Sequence, residues 1–107
     1  MKNIISVIGA GGKTSLLHKM SDYYLGKKET VLLTTTTHMM LEKDTDISCD
    51  IFSIIERLKN DKYCMAGKIC DGSNKKIQAL PLEILKGIMP YADNILTEQS
   101  IIHLNIR

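Results

Sequence analysis

The segment that most constrains the fold is IISVIGAGGKT, residues 4–14, near the start of the chain. Its first residues are mostly apolar and β-branched, and they predict a buried strand over residues 4–8. Three glycines follow, Gly9, Gly11 and Gly12, and they allow the backbone to curl where side chains would interfere. A strand that enters a helix through a glycine-rich turn begins a βαβ unit, so the sequence predicts an α/β fold.

The same turn predicts a phosphate-binding site. Backbone N–H groups of the turn and of the following helix N-terminus would point toward one anion, whose oxygens the Lys13 ammonium would neutralise. The hydroxyl of Thr14 stands where it would ligate a magnesium ion. We therefore assign the nucleotide contacts to a continuous run, with Lys13 also catalytic and Thr14 also a metal ligand: Gly9, Ala10, Gly11, Gly12, Lys13, Thr14 and Ser15.

The spacing of the turn separates it from two other phosphate loops. In the pattern G-x-x-x-x-G-K-[ST] the first glycine would fall at Val7, whereas here it is Gly9, so the loop is two residues shorter. A dinucleotide-binding loop would need its third glycine at Thr14. The pattern therefore favours a compressed phosphate loop, and the alternative is a tight strand-to-helix turn with an exposed Lys13.

Composition narrows the function classes. The chain has 107 residues, 44% of them hydrophobic, which fits one domain with a single core. Its net charge is +2, and its basic pairs, Lys27–Lys28 and Lys75–Lys76, do not form the basic stripe of a nucleic-acid-binding surface. No apolar run is long enough for a signal peptide or a membrane span, so we expect a cytoplasmic protein without nucleic-acid or membrane partners. The three cysteines lack CxxC spacing and indicate neither a disulfide framework nor a zinc site.

The second predicted strand ends in a run of hydroxyl side chains. Apolar residues at helical spacing predict an amphipathic helix over residues 13–25, Gly26 ends it, and a parallel strand follows over residues 30–34. In an open α/β sheet, ligand-binding residues lie at the carboxyl ends of the strands. We therefore expect Thr35 and Thr36 to contact the terminal phosphate or the water shell of the magnesium ion. The alternative is that the threonine run simply continues the strand.

The remaining elements are predicted from shorter patterns. Residues 39–48 are polar, mixed in charge and without periodicity, and they predict a mobile loop. Further along the chain we expect a helix capped by Asp50, a strand over residues 62–69, a turn at 71–74, a hairpin strand over 76–79, and a helix from Pro81 closed by Pro90.

A carboxylate ends the last predicted strand, DNILTE, residues 93–98. At the carboxyl end of a strand beside the phosphate loop, Glu98 would hold a magnesium-bound water or polarise an attacking one. We therefore assign Glu98 as a catalytic residue and, together with Thr14, as a metal ligand. The segment Asn74–Ile77 begins like the guanine-reading N-K-x-D motif but lacks its acid, so the nucleotide is either ATP or GTP.

Three segments carry a family resemblance: VIGAGGKTSLL, VLLTTTTHM and YADNILTE. Together they resemble the YqeC-type selenium-dependent hydroxylase accessory proteins, which are also described as selenium cofactor biosynthesis proteins. The resemblance implies a P-loop-like α/β domain, nucleotide binding, and a role in maturing the selenium cofactor of molybdenum-dependent hydroxylases. It also implies a partner in that hydroxylase maturation. The loop is similar, too, to the G-T-N-G-K-T loop of Mur ligases, which use ATP to activate a carboxylate.

The chain departs from the family pattern in two ways. Family members continue from the strand-end glutamate as E-A-D-G, whereas here Gln99, Ser100 and Ile101 follow Glu98. Family members also run to about twice this length, so residues 1–107 would form a single nucleotide-binding domain that corresponds to their N-terminal half. An exposed sheet edge in a shortened chain would favour a homo-oligomer.

We therefore predict an α/β fold, a P-loop-like three-layer domain with a mostly parallel sheet, that binds Mg²⁺ and ATP or GTP. Three functional interpretations follow. The first is an enzyme, either a magnesium-dependent NTPase or an ATP-dependent ligase or transferase. The second is a non-catalytic module that senses a nucleotide or acts as a scaffold, and the third is a vestigial fragment.

Overall fold

A computed structural model of the chain describes residues 3–9, 13–70, 72 and 75–100. These residues form a mixed α/β fold, as predicted. In chain order the elements are β1 (Asn3–Gly9), α1 (Lys13–Gly26), β2 (Val31–Thr35), β3 (His38–Met40), α2 (Ile51–Asp61), β4 (Tyr63–Met65), β5 (Lys68–Ile69), β6 (Lys76–Gln78), α3 (Leu82–Ile88), a 3₁₀ helix (Met89–Tyr91) and β7 (Asn94–Ser100).

Four of the strands form a parallel sheet in the order β1-β7-β2-β4. The predicted βαβ unit is confirmed in that β1 and β2 are parallel, but β7 lies between them. In this register Glu98 of β7 stands opposite Val7 on one side and Thr35 on the other. The carboxyl ends of β1, β7 and β2 therefore meet at one edge of the sheet, where open α/β sheets bind ligands.

Helices cover both faces of the parallel sheet. Strand β2 is buried on both faces, which explains its continuous run of apolar residues. Val31 and Leu33 pack in the core beneath α1, whereas Leu32 packs in a second core beneath α2 and α3. Because successive side chains of a strand alternate between faces, the two cores are separated by the sheet. We call these two sides the α1 face and the α2/α3 face.

The helices end where their sequences supply caps. Asp50 caps α2 as predicted, since its side chain accepts a hydrogen bond of 3.1 Å from the backbone N–H of Phe52. At the other end of α2, Lys62 adopts a left-handed conformation with φ of 63°. Helix α3 begins one residue later than predicted, because Pro81 is its N-cap, and Pro90 lies within the 3₁₀ helix that follows.

The three-stranded sheet was only partly predicted. The predicted loop over residues 39–48 is wrong at its start, because β3 pairs antiparallel with β6 and buries Met39 in the core of the α1 face. The predicted hairpin is confirmed by the antiparallel pairing of β5 with β6. Its turn includes residues 71, 73 and 74, which lie outside the described residues.

The single strand predicted over residues 62–69 is in fact two strands in two different sheets. Strand β4 belongs to the parallel sheet, and β5 belongs to the three-stranded sheet. Gly67 lies between them, where a Cβ atom would come within 2.7 Å of Ile77 Cδ1 and 3.0 Å of the Gln78 carbonyl oxygen. The chain can therefore change sheets at this point because residue 67 has no side chain.

Strand β1 is an edge strand whose side away from α1 is largely open. Ile4 is 63% exposed and Ile8 is 47% exposed, and both alternate with Val7, which is buried beneath α1. Between them, the Ser6 and Thr97 hydroxyls form a hydrogen bond of 2.9 Å. Within the described part of the chain, no helix has the length and hydropathy needed to cross a bilayer.

Candidate functional site

Two of the predicted site residues, Thr14 and Glu98, lie together at the carboxyl edge of the parallel sheet. Thr14 is in the first turn of α1, and its Oγ1 lies 3.5 Å from Oε2 of Glu98 in β7. Glu98 is 8% exposed, so its carboxylate is largely withdrawn from water. The pairing of β7 with β1 is what brings these residues together, since they are 84 positions apart in the chain.

The path of the chain fits the predicted turn as far as it is described. Strand β1 ends at Gly9 and α1 begins at Lys13, so the connection between them is short. Ala10, Gly11 and Gly12 lie outside the described residues, as does the side chain of Lys13. Their assignment as nucleotide contacts therefore stays a prediction. Ser15 is exposed at the first turn of α1, and its assignment also stays a prediction.

Two threonines, one at the end of β2 and one directly after it, hold the main chain of Glu98. The hydroxyls of Thr35 and Thr36 each donate a hydrogen bond of 3.2 Å to the Glu98 carbonyl oxygen, and the backbone N–H of Thr36 donates to the same atom at 3.2 Å. The Thr35 hydroxyl in turn accepts a hydrogen bond of 3.1 Å from the backbone N–H of Thr37. These contacts fix Glu98 relative to the end of β2. The predicted contacts of Thr35 and Thr36 with phosphate or magnesium water stay predictions.

The predicted end of the last strand was wrong by two residues. Strand β7 continues past Glu98 to Ser100, because β1 pairs with it as far as Gly9 opposite Ser100. Glu98 therefore lies two residues before the end of the strand. Its side chain still shares the α1 face with Leu96, two residues before it, which directs it toward the N-terminus of α1.

A cleft of about 250 Å³ opens beside these residues. It is lined by Thr14, His38, Met39, Met40, Lys76 and Glu98. The sequence indicated Thr14 and Glu98 but gave no reason to place Lys76 there, because only the pairing of β3 with β6 brings Lys76 to the cleft. The lining combines a carboxylate and a hydroxyl, which suit a hard cation, with an ammonium group, which suits phosphate oxygens.

The donor set of the cleft fits a magnesium ion that is shared with phosphates. Among the residues described, no three His, Cys, Asp or Glu side chains come close enough to hold a metal ion by themselves. Magnesium bound with a nucleotide does not require such a cluster, because it takes one or two protein oxygens, substrate phosphates and water. Thr14 and Glu98 would supply two oxygen ligands of that kind, and their assignment as metal ligands stays a prediction.

The buried carboxylate of Asp46 serves the structure. It accepts hydrogen bonds of 2.9 Å from the Ser48 N–H, 2.6 Å from the Ser48 hydroxyl and 2.7 Å from the Ser53 hydroxyl on α2. Burial alone would raise the pKa of Asp46, but the hydrogen bonds from Ser48 and Ser53 outweigh it and lower the pKa below its usual value. Asp46 therefore ties the segment before α2 to the helix.

The three cysteines, Cys49, Cys64 and Cys70, are free thiols. Burial raises the pKa of Cys64 to about 12, so this thiol stays protonated and is a poor nucleophile. Burial also raises the pKa of Cys49. The expectation that the cysteines form neither a disulfide framework nor a zinc site stays a prediction.

Comparison with known proteins identifies a family. The family model described as "YqeC protein" matches residues 5–99, which is most of the chain. A curated relative, "Uncharacterized protein YqeC" of Escherichia coli (strain K12), is 53% identical over 38 residues. That match covers 36% of this chain and spans only 15% of the length of the E. coli protein. No solved structure matches the chain.

Proposed function

This chain belongs to the YqeC family, and from that premise we propose that it is a nucleotide-binding protein with a P-loop-like site at the carboxyl edge of its parallel sheet. The observation that carries the proposal is the 3.5 Å approach of the Thr14 hydroxyl, at the start of a 14-residue helix, to the buried carboxylate of Glu98. A magnesium–polyphosphate group needs these partners together: an oxygen ligand pair and a helix N-terminus.

The assigned roles follow from the chemistry of each group. The turn from Gly9 to Gly12 and the N-terminus of α1 would bind phosphate through backbone N–H groups, and Lys13 would neutralise its charge. Thr14 and Glu98 would hold the magnesium ion, and Glu98 would also orient a nucleophile when there is turnover. Mg²⁺ lowers the barrier to phosphoryl transfer by offsetting charge on the phosphate oxygens.

Two further side chains support an anionic ligand in this cleft. Lys76 and His38 belong to the three-stranded sheet and line the cleft together with Thr14 and Glu98. Lys76 supplies a positive charge, and His38 supplies a ring that can donate a hydrogen bond to a phosphate oxygen. A nucleotide whose phosphates lie between the two sheets would contact both.

Nucleotide binding is tested by thermal unfolding in the presence of Mg²⁺ with ATP or with GTP. We expect the midpoint of the wild-type protein to rise by several degrees with the preferred nucleotide, and to rise less when EDTA removes the magnesium. Lys13→Ala should abolish the rise, whereas Lys59→Ala, an exposed lysine in α2, should leave it unchanged. A wild-type protein whose midpoint does not respond to either nucleotide would refute the proposal.

Turnover separates an enzyme from a nucleotide sensor. We expect a slow, magnesium-dependent release of phosphate in single-turnover conditions that Glu98→Gln lowers by roughly a hundredfold, as for loss of a general base or metal ligand. Binding without any release would instead establish the non-catalytic interpretation.

In cells, we propose that nucleotide binding serves selenium and molybdenum cofactor maturation of hydroxylases. Loss of selenium-dependent hydroxylase activity on deletion, restored by the wild-type gene but not by Lys13→Ala, would support that role.

A further inference from the structure

A second, larger cavity lies along α1, away from the cleft at Thr14 and Glu98. Its volume is about 450 Å³, which is within the range of small-molecule sites. Its lining includes Ser21, Asp22 and Leu25 of α1, Asp44, and Asp61 at the end of α2, and we call it the acidic cavity. The cavity shares no lining residue with the cleft.

A buried hydroxyl in this cavity has no partner within the protein. Ser21 is 2% exposed and lines the cavity, and among the described residues its Oγ has no hydrogen-bond partner. A serine within a helix ordinarily satisfies its hydroxyl through a carbonyl one turn earlier or through water. Leaving a buried hydroxyl unsatisfied costs about 1–3 kcal/mol, so a ligand that bonds to it recovers that free energy.

The charged side chains that line the cavity favour a positively charged ligand. Four carboxylates line it, from Asp22, Glu42, Asp44 and Asp61, against a single ammonium group, from Lys43. Glu42 is paired with His18, whose Nε2 lies 2.8 Å from its Oε2. In the described part of the chain, the other three carboxylates have neither a hydrogen bond nor an ion pair. An anion would be repelled from this cavity, and a cation would be attracted.

The arrangement of the carboxylates favours an extended cation over a metal ion. No three acidic or histidine side chains of the described residues converge closely enough to hold a metal. The carboxylates come instead from three separate segments, α1, residues 42–44 and the end of α2, and apolar side chains, including Leu25 and Met65, also line the cavity. A molecule with ammonium groups at the ends of a short hydrocarbon chain matches a cavity of that kind.

We propose that this cavity binds an aliphatic diamine or polyamine. Its ammonium groups are neutralised by Asp22, Asp44 and Asp61, its methylene groups contact Leu25 and Met65, and the Ser21 hydroxyl accepts a hydrogen bond from it. Tyr63, whose pKa burial raises to about 12, keeps its proton and adds no charge that would alter this balance. The inference is separate from the proposed nucleotide site and does not depend on it.

The test is a titration of the isotope-labelled chain with putrescine, followed by amide NMR and calorimetry at constant ionic strength. We expect saturable binding, with the largest shifts in residues 18–25, 42–45 and 61–65. Butanediol, which has the same length but no charge, should not bind. Saturable binding of butanediol, shifts spread over all surface carboxylates, or no saturation by putrescine or spermidine would each overturn the proposal.

Three variants make the test specific. Asp44→Asn removes an exposed carboxylate of the cavity and should weaken binding by about tenfold. The matched control is Glu83→Gln, an exposed acid in the first turn of α3, which should bind putrescine as the wild type does. Ser21→Ala should weaken binding several-fold without lowering thermal stability, because the hydroxyl has no partner in the described structure. Equal affinity in Asp44→Asn and Glu83→Gln would show that the attraction is not local and would refute the site.

Discussion

The two faces of the parallel sheet differ in how their buried polar groups are satisfied. The core of the α2/α3 face consists of apolar side chains, and the buried polar groups beside it are bonded within the protein: Thr34 donates to the Ala66 carbonyl oxygen and Asp46 accepts from Ser53 of α2. The α1 face also has an apolar core, but polar groups interrupt it at both ends: Thr14 and Glu98 at the carboxyl edge, and Ser21 at the acidic cavity. Because an unsatisfied buried hydroxyl weakens a core, Ser21 fits our proposal that the α1 face binds ligands, whereas the polar groups beside the α2/α3 core add to its stability.

The largest effect on stability should come from a substitution in the core of the α2/α3 face. Leu58 of α2 is fully buried there, so Leu58→Ala should lower the free energy of unfolding by about 2–5 kcal/mol through lost burial and the cavity that remains. Urea unfolding measures this loss. At a temperature where the variant is folded, its affinity for Mg²⁺–nucleotide should equal that of the wild type. A change in affinity would contradict the conclusion that the two faces contribute separately to stability and to nucleotide binding.

A smaller loss of stability should result from a substitution at Gly67, where the chain passes from the parallel sheet to the three-stranded sheet. A Cβ at Gly67 would overlap Ile77 and the backbone of Gln78, so Gly67→Ala should destabilise the chain by about 1–3 kcal/mol. The matched control is Gly26→Ala, because a Cβ at Gly26 meets no atom within 4 Å and alanine favours the helix. Since Ile77 lies in the core of the α1 face, Gly67→Ala should also weaken nucleotide binding. Equal stability of the two alanine variants would contradict this account.

Lowering the pH should remove the stabilisation that Asp46 provides to the folded protein. Its pKa is lowered in the folded state, so its contribution to stability is fully present above the unfolded value of about 3.8 and is lost as the pH falls through the folded value. We expect Asp46→Asn to lower stability by about 1–2 kcal/mol at pH 7, because it weakens hydrogen bonds to a charged group. Below the folded pKa the difference between the two proteins should shrink. Urea midpoints measured across this pH range would show it, and a difference that does not depend on pH would count against the assigned role.

The smallest effect should come from Ser21. Because its hydroxyl has no partner among the described residues, Ser21→Ala should leave stability within about 0.5 kcal/mol of the wild type or raise it slightly. Ser53→Ala is the informative contrast, since the Ser53 hydroxyl donates to Asp46 and its loss should be destabilising. Thermal unfolding of both variants tests the point. A clear loss in Ser21→Ala would mean that its hydroxyl is bonded in solution.

The elements that could be predicted from the sequence are those whose own residues carry a clear apolar pattern or a helix cap. Strand β1, helix α1, strand β2 and the cap at Asp50 each follow from adjacent residues, and the carboxylate of Glu98 followed from its place at the end of an apolar run. The position of Glu98 beside the start of α1 was anticipated from the general rule for parallel sheets, whereas the pairing of β7 with β1 that produces it was not predicted.

The features that the sequence did not predict depend on tertiary contacts. Strand β3 has only three residues and gains its stability from pairing with β6, so no periodic pattern marks it. The split of residues 62–69 depends on the close contact between Gly67 and Ile77. The acidic cavity draws its lining from α1, from the segment before α2 and from the end of α2, and these segments are far apart in sequence.

The most direct test of the central claim is amide NMR of the wild-type chain titrated with Mg²⁺–ADP and Mg²⁺–GDP. If the carboxyl edge of the α1 face is the nucleotide site, one of them will shift the amides of residues 9–15, 35–38 and 98 in a saturable way, and residues of α2 and α3 will not move. Saturable shifts centred on α2 and α3, or an unchanged spectrum with both nucleotides, would contradict the account.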